Sequence, residues 1–284
     1  MSQVNAMINW KQPPDSAQIA QYVECYWFLE KQTGVQSHPF PKLNPDPAGH
    51  LIIAPADQTY RYNVSQRFMV GKGSHWLFPH SQTYQMDHTK PFSMIGIKFH
   101  IGALYSLDIT PEQPVLDQVV NVDLNRQFHP EAVSTTDLLH KSKLEIGYCV
   151  TLLDEWLMPW LSKAHQDKHS KLTRAALPLL SSHSITDIGD LLHCSQRTLE
   201  RSFSRVTGFT LKQCQSMNRL ETMLEYLYLN REMDINWGDI ACQFGFSDQP
   251  HLIRYLKRAI GETPGEYARL RDLTIDIYGA FLSH

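Results

Sequence analysis

One segment of this chain recurs 53 positions further on, and this repeat limits the folds that the chain can adopt. The first copy runs over 195–210 and the second over 248–263. In both copies an N-capping residue is followed, at the same offsets, by glutamine, leucine, arginine, an apolar residue, a second arginine, glycine and threonine. A match of this kind is typical of a helical unit that is used twice.

A short amphipathic stretch precedes each copy, so the pattern predicts two helix-turn-helix units. The turns are expected at His193-Cys194 and at Gly245-Phe246-Ser247, and Ser195 is expected to cap the second helix of the first unit. The side chains expected to face the core are Ile185, Ile188, Leu191, Leu192, Leu199, Phe203 and Val206 in the first unit and Ile240, Ala241, Phe244, Leu252, Leu256 and Ile260 in the second.

The opposite face of each second helix is polar and basic, which suits contact with DNA. Glutamine and arginine near a helix N-terminus match the adenine and guanine edges in the major groove, and later basic residues suit phosphates. Such a face is often merely solvated, but the equivalence of Gln196 with Gln249 and of Arg201 with Arg254 favours a DNA surface. The expected base contacts are Gln196, Arg197, Glu200, Arg201, Gln249, His251 and Arg254, and the expected phosphate contacts are Ser195, Arg205, Lys257 and Arg258.

Helix-capping residues and glycines between the two units predict a long connecting helix. It is expected from Thr210 to about Leu229 and would span roughly 30 Å at about 1.5 Å per residue. That length is close to the ~34 Å between successive major grooves on one face of DNA, so one chain could occupy both. Helix starts are expected at Ser184-x-x-Asp187, Thr210-x-x-Gln213 and Thr263-Pro264-x-Glu266, and left-handed helix ends at Gly208 and Gly261.

The second unit resembles the C-terminal signature of AraC/XylS-type transcriptional regulators. The family pattern I-A-x-x-x-G-F, then F-x-R-x-F-K, then G-x-T-P-x-x-Y, is matched over 240–267. Leu252 and Leu256 stand at the two Phe positions, and Pro250 stands where relatives often carry a polar contacting residue. The resemblance covers about 171–273. It implies a module of seven helices whose two helix-turn-helix units enter successive major grooves of promoter or operator DNA, with RNA polymerase as a partner if the protein is an activator.

Turn residues divide the region before Phe99 into short apolar runs, a pattern typical of a β-sandwich or barrel. The predicted strands are His50–Pro55, Thr59–Val64, Phe68–Val70, Trp76–Phe78, Thr83–Met86 and Phe92–Phe99.

Residues 44–53 and 96–107 resemble, more loosely, a sensor domain found ahead of such modules. Similar domains are cupin-like β-barrels followed by helices, which implies effector sensing or dimerisation. The aromatic residues of the region either line a ligand cavity or fill the barrel. The candidate effector pocket comprises Trp27, His50, Tyr62, Trp76, Phe78, His80 and Phe99.

The predicted fold class is therefore α+β, with an N-terminal cupin-like β-barrel carrying appended helices and an all-α double helix-turn-helix domain. The expected domains are 1–165 for sensing and dimerisation, with helices after about 110, and 176–284 for DNA binding. The polar stretch 166–175 is expected to be the linker. Helices between Leu144 and Leu161, interrupted by Pro159, either pair two protomers into a homodimer or close the underside of the barrel.

Composition narrows the class of protein further. The net charge is −3, so DNA contact has to come from local basic patches. Five scattered cysteines without a CxxC pair suit reduced thiols, and the chain shows no signal peptide and no apolar run of about 18 residues. We therefore expect a soluble cytoplasmic protein without membrane contact.

The alternative is a cupin-type metal-dependent enzyme that carries a DNA-binding module. His75, His80, His88 and His100 cluster along the chain, but they lack an H-x-H pair and a nearby Glu. Cys194 and Cys242 fall on helix-turn-helix core or turn positions and Cys214 falls on an apolar stripe, where a small apolar residue is common. We accordingly predict no catalytic residue, metal or cofactor, and the leading hypothesis is a transcriptional regulator that a small-molecule effector modulates.

Overall fold

The computed structural model describes residues 8–35, 38–109, 114–128, 134–230 and 235–263. The N-terminal strands form two antiparallel sheets, one of six strands in the order β1-β2-β9-β4-β7-β10 and one of four in the order β3-β8-β5-β6. The strands are β1 (Ile8–Gln12), β2 (Val23–Lys31), β3 (Lys42–Leu43), β4 (His50–Ile53), β5 (Thr59–Val64), β6 (Arg67–Lys72), β7 (His75–Leu77), β8 (Tyr84–Met86), β9 (Phe92–Phe99) and β10 (Val119–Asn121).

Helices cover one side of the larger sheet and make up the C-terminal half. They are α1 (Ala103–Ser106), α2 (Leu124–Phe128), α3 (Thr135–Leu144), α4 (Ile146–Leu161), α5 (Lys168–Ala176), α6 (Ile185–Leu191), α7 (Gln196–Thr207), α8 (Leu211–Leu229), α9 (Trp237–Gln243) and α10 (Gln249–Ile260). The expected α+β class, with a sheet-rich N-terminal part and a helical C-terminal part, is confirmed.

The six-stranded sheet is buried on both faces because side chains alternate along each strand. In β2, Tyr26 and Phe28 face the helices, whereas Trp27 and Leu29 face the smaller sheet. Gly96 in β9 pairs with Trp27, and a Cβ atom there would lie 1.9 Å from the Trp27 ring. Glycine is thus needed for the indole to lie flat between the two sheets.

Helix α4 closes the underside of the sheet within a single chain. Leu153 and Leu157 are fully buried against it. Asp154 fixes the helix further, because its carboxylate accepts hydrogen bonds from the Tyr26 hydroxyl (2.6 Å) and the Ser16 amide (2.6 Å). Pro159 lies inside α4 without interrupting it. The expectation that these helices close the underside of the sheet-rich part is thus met, and the pairing of two protomers stays a prediction.

The predicted linker 166–175 requires correction, since most of it is helix α5. Asp167 caps the helix by accepting from the amides of His169 (2.9 Å) and Ser170 (2.8 Å). The helix buries small side chains, Thr173 and Ala176 among them, and lies against α7. The fully buried side chains of this face are small, so the polar composition of the stretch was interpreted as a linker.

The C-terminal helices form two cores joined by α8. Its first half packs with α6 and α7, and its second half packs with α9 and α10. Leu191 is a second correction, because it is 51% exposed at the end of α6, where Ile188 is the fully buried residue. The helix expected to start at Thr263-Pro264 lies outside the described residues.

The other predicted elements are present, some with shifted ends. Strands β5 and β9 have the predicted bounds, and β4, β6, β7 and β8 differ from the prediction at their ends. The caps at Ser184 and Ser195 accept hydrogen bonds from Asp187 and Thr198 amides. No helix in the described part of the chain has the length and apolar character needed to cross a membrane.

Candidate nucleic-acid interface

Two helix-turn-helix units present their second helices, α7 and α10, to solvent. The turn of the first unit contains His193 at φ 51°, and the turn of the second contains Gly245 at φ 70°. The backbone of each turn therefore bends through a residue in the left-handed conformation. Four residues separate α6 from α7 and five separate α9 from α10. The repeat therefore has an offset of 52 in the support helices and 53 in the second helices, with one extra residue in the second turn.

Both second helices begin and end alike. Ser195 accepts from the Thr198 amide (3.2 Å) and Asp248 from the His251 amide (2.6 Å). Gly208 and Gly261 end the helices at φ 77° and 75°. The buried stripes Leu199/Phe203 and Leu252/Leu256 are fully enclosed. The remaining faces are thereby held outward on two rigid helices.

The outward faces carry the residues expected to contact DNA. All of them are exposed except His251, which is half-buried with its ring edge-on to Phe246 at 5.3 Å between centroids. The exposed set is Ser195, Gln196, Arg197, Glu200, Arg201, Arg205, Gln249, Arg254, Lys257 and Arg258. The structure thus brings the predicted residues together on two surfaces, one for each unit.

Six of these side chains are cations, and none of the six forms an ion pair with a residue that the structure describes. Two local contacts occupy part of the first surface. Gln196 donates to Glu200 (3.0 Å), and Arg205 Nε donates to the Tyr105 hydroxyl (3.2 Å), which raises the pKa of Arg205. The other cations are open to an anionic partner.

Helix α8 fixes the distance between the two surfaces. Its 19 residues span about 28 Å at about 1.5 Å per residue. Arg219 in α8 lies over the rings of Phe246 (4.4 Å) and Tyr255 (5.1 Å) of the second unit. This cation–π contact, which the sequence analysis missed, stiffens the junction of α8 with α10. No motif signalled it, since its partners are 27 and 36 residues away in the chain.

The sheet-rich part holds a cavity of about 740 Å³ between the smaller sheet and one end of the larger. Tyr62 and His75 lie in its wall, and the Tyr62 hydroxyl is 2.9 Å from His75 Nε2. His75 Nδ1 lies 2.9 Å from the Gly73 carbonyl, so Nδ1 carries the proton and Nε2 accepts from Tyr62. Burial lowers the pKa of His75 to about 4, so this histidine is neutral at pH 7.

The expected effector pocket is only partly assembled around this cavity. Trp76, Phe78 and Phe99 lie on the opposite face of the sheet, packed under α4, and this part of the expectation is corrected. The reason is the alternation of side chains along β7 and β9.

The remaining pocket residues face the space between the sheets, but of these Tyr62 alone lines the cavity. The indole of Trp27 donates to His50 Nδ1 (3.4 Å), and His80 stacks on Tyr84 with the ring centroids 4.3 Å apart. Trp27, His50 and His80 therefore fill the space between the sheets and do not line the cavity.

Cysteines and potential metal ligands do not converge on a reactive centre in the described part of the chain. No group of three or more His, Cys, Asp and Glu side chains is placed to hold a metal ion there. Burial raises the pKa of the thiols of Cys25, Cys149 and Cys214 to about 12. Cys242 is exposed on α9.

Comparison with known proteins agrees with this geometry. Residues 188–270 match a family model described as a helix-turn-helix domain, and residues 11–121 match a domain of unknown function, DUF6597. The uncharacterized HTH-type transcriptional regulator YidL of Escherichia coli K12 is 21% identical over 67% of this chain and 61% of its own length. The HTH-type transcriptional activator RhaR of the same strain is 29% identical over 45% of this chain and 46% of its own length. The chain thus spans less than two thirds of these relatives.

A solved structure of ToxT from Vibrio cholerae O395 has a TM-score of 0.47 at 10% identity, covering 95% of this chain and 98% of that chain. The matched domain lies over the two helix-turn-helix units that the structure shows in the C-terminal part. In this C-terminal part the chain is similar to HTH-type transcriptional regulators.

Proposed function

We propose that this chain is a sequence-specific, DNA-binding transcriptional regulator whose N-terminal part senses a small molecule. The observation that carries the proposal is the pair of equivalent outward faces on α7 and α10. Both faces are basic, and the continuous helix α8 joins the two units that carry them. Two such faces about one helical turn of DNA apart suit two successive major grooves.

Each DNA surface divides into base-contacting and phosphate-contacting parts. Arg201 and Arg254 suit bidentate contact with guanine, Gln196 and Gln249 suit adenine, and Glu200 can accept from a cytosine amino group. Arg197 and His251 also belong to the base-contacting part. Ser195, Arg205, Lys257 and Arg258 suit phosphates and fix the register of the helices. RNA polymerase is a further partner if the protein activates transcription, and a homodimer would double the number of contacted half-sites.

The effector site belongs in the 740 Å³ cavity, whose volume suits a small organic molecule. Tyr60 and Tyr62 supply aromatic surface there, and the Tyr60 ring lies 3.8 Å from the His75 ring. Arg61, which also lines the cavity, lies over the Phe68 ring at 4.0 Å. A ligand with a flat ring and a polar group would find partners of both kinds.

The test of DNA binding is an in vitro selection of random duplexes on the full-length protein. We expect two short enriched blocks about ten base pairs apart. The double variant Arg201→Ala/Arg254→Ala should lose this enrichment because it removes one arginine from each surface.

The matched control is Arg67→Ala/Lys163→Ala, which removes two exposed cations from the N-terminal part and so the same net charge. It should select the same blocks as the unaltered protein. A control variant that loses the motif, or an arginine variant that keeps it, would contradict the assignment of the two faces. Metal analysis of the purified protein tests the enzyme alternative, which requires a stoichiometric transition metal.

A further inference from the structure

Strand β6 forms one edge of the smaller sheet and leaves apolar side chains exposed. It pairs with β5 and with no other strand of the described residues. Met69 points into the core between the two sheets. Because side chains alternate along a strand, Phe68 and Val70 lie together on the outer face, where they are 50% and 66% exposed.

The backbone of β6 has unused hydrogen-bonding groups at the same residues. The Gly73 amide donates to the Gln58 carbonyl (2.8 Å), and the register of β5 with β6 continues from this pair. Hydrogen-bonded pairs alternate with non-bonded pairs in an antiparallel ladder, so the odd-numbered residues of β6 bond to β5. The amides and carbonyls of Phe68, Val70 and Lys72 therefore point away from the sheet.

No described part of the chain covers these groups as a further strand. Strand β10 approaches β6 at Gly71, where Asn121 accepts a hydrogen bond from the Tyr60 hydroxyl, but the two strands form no ladder. An unpaired edge with exposed apolar side chains is a template for another strand. We call Phe68, Val70 and Lys72, with their outward amides and carbonyls, the β6 edge.

Three cations surround the β6 edge. Arg61 of β5 lies over the Phe68 ring at 4.0 Å, and Arg67 and Lys72 are exposed at the two ends of β6. None of the three forms an ion pair with a described residue. The Asp87 amide donates to the Arg61 carbonyl (3.1 Å), so this carboxylate lies beside Arg61 and leaves the charges of Arg67 and Lys72 unmatched.

These charges select the kind of strand that the edge accepts. Pairing of β6 with β6 of a second copy would place two sets of the same three cations along one seam, and like charges on adjacent strands destabilise pairing. Charged side chains on an edge are a known device against such self-association. An acidic strand would be attracted by the same cations.

We propose that the β6 edge binds an extended acidic segment of another protein, which adds a fifth strand to the smaller sheet. Backbone hydrogen bonds would hold the segment, and its alternate side chains would give specificity. Apolar side chains of the segment would pack on Phe68 and Val70, and acidic ones would face Arg67 and Lys72. The proposal does not depend on DNA binding or on an effector.

The probe is obtained by mRNA display of random peptides of about twelve residues on the full-length protein, with the variant Val70→Pro for counter-selection. We expect enriched peptides in which apolar residues recur at every second position and acidic residues exceed basic ones. Fluorescence anisotropy of an enriched peptide should show binding at least about tenfold weaker to Val70→Pro, whereas Val70→Thr, which keeps the amide, should bind within about threefold.

Proline at position 70 removes an amide that the sheet does not use, so Val70→Pro should keep the melting temperature of the unaltered protein. Met69→Pro removes an amide that bonds to β5 and should melt lower. Equal losses in the two variants would contradict the free edge at Val70.

The role of charge is tested with Arg67→Ala/Lys72→Ala. It should weaken peptide binding and reduce the salt dependence of the affinity. The matched control Lys163→Ala/Lys171→Ala, which removes two exposed cations elsewhere, should change neither.

N-methylation of the enriched peptide, one residue at a time, tests strand addition without altering the protein. Methyl groups at every second residue should weaken binding about tenfold, and those at the residues between should have little effect, because only alternate amides would face β6. Methylation effects without this period of two would overturn the proposal. So would the absence of any peptide enriched over Val70→Pro, or a dimer in sedimentation that dissociates in Val70→Pro, since a second copy would then occupy the edge.

Discussion

Arg201 and Arg254 occupy the same position in the two copies of the repeat, and both are exposed. If each makes the proposed bidentate contact with a guanine, Arg201→Ala and Arg254→Ala should each weaken binding to the selected duplex by about 1–3 kcal/mol. Fluorescence anisotropy at physiological salt measures the loss. Lys257→Ala, which removes a proposed phosphate contact, should instead weaken binding to all duplexes alike and reduce the salt dependence of the affinity. Unchanged affinity of either arginine variant would remove that residue from the base-contacting set.

His75 makes stability depend on pH. Its pKa falls from 6.5 to about 4 on folding, because burial disfavours the charged ring. Between these values the unfolded chain binds a proton that the folded chain does not, so stability is complete above about pH 6.5 and falls as the pH is lowered toward 4. The loss from this residue should reach about 2 kcal/mol at pH 5.

His75→Gln keeps a polar side chain beside Tyr62 but does not titrate. Urea unfolding at pH 7 and pH 5 should therefore show a smaller difference for this variant than for the unaltered protein. His80 and His88 also have pKa values lowered by burial, so part of the pH dependence should remain. An equal difference in both proteins would show that His75 does not contribute.

At the scale of the element, Gly208 and Gly261 end α7 and α10 in the same left-handed conformation. Alanine should cost about 1 kcal/mol at either position from backbone strain alone. At Gly208 the added Cβ would also meet Leu116 at 2.8 Å, whereas at Gly261 its nearest neighbour would be the end of Lys42 at 3.6 Å. Chemical unfolding should show Gly208→Ala as the more destabilising of the two. Equal costs would mean that Leu116 moves aside freely.

The C-terminal elements could be predicted from sequence because their signals are local. Caps such as Ser195 and Gly208 and the stripe Leu199/Phe203 lie within one helix. Strand β2 was missed because it is buried on both faces and so shows no polar alternation. Helix α5 was missed because its packing face is made of small and polar side chains.

The candidate sites also differ in how far local sequence patterns predict them. The DNA surfaces follow from helix periodicity, which fixes which side chains point outward. The cavity between the two sheets depends on which face of each strand turns inward, and Trp76 and Phe99 show that aromatic content does not decide this. The packing of the two parts against each other depends on residues far apart in sequence, such as Gly102 and Val206, which no local pattern predicts.

On the scale of the whole molecule, Lys98 links the two parts. It is 9% exposed and lies near Glu24 (3.2 Å), Glu221 of α8 (3.4 Å) and Asp46 (3.9 Å). Burial alone would lower the pKa of Lys98, but Asp46, Glu221 and Glu24 hold it well above its ordinary value. One buried cation is thus shared by carboxylates from both parts of the chain.

Lys98→Met should destabilise the protein by about 3–5 kcal/mol, because it leaves Asp46 buried without its cation. Glu221→Gln should cost less than about 1 kcal/mol, since that side chain is 47% exposed and its loss removes only the interdomain pair. Thermal and urea unfolding compare the two variants. If Glu221→Gln lowered the free energy of unfolding as much as Lys98→Met, the Lys98–Glu221 pair would contribute more to stability than the Lys98–Asp46 pair.

Contacts with the sheet-rich part also restrain the far ends of both helix-turn-helix units. Lys42 donates to the Ile260 carbonyl (2.9 Å) at the end of α10, and the Thr83 hydroxyl donates to the Ala259 carbonyl. At the first unit, Gly102 approaches Val206 so closely that a Cβ would lie 2.7 Å from it. The second helices α7 and α10 are therefore both held by α8 and by the sheet-rich part, which fixes the spacing of their outward faces.

The most direct test of the account is to change the spacing between the two blocks of the selected duplex. Inserting five base pairs turns one major groove to the opposite side of the DNA, and α8 cannot follow that rotation. Affinity for the inserted duplex should fall to that of a duplex with one block destroyed, as measured by anisotropy with the full-length protein. Undiminished affinity after this half-turn insertion would contradict the claim that one chain contacts two successive major grooves.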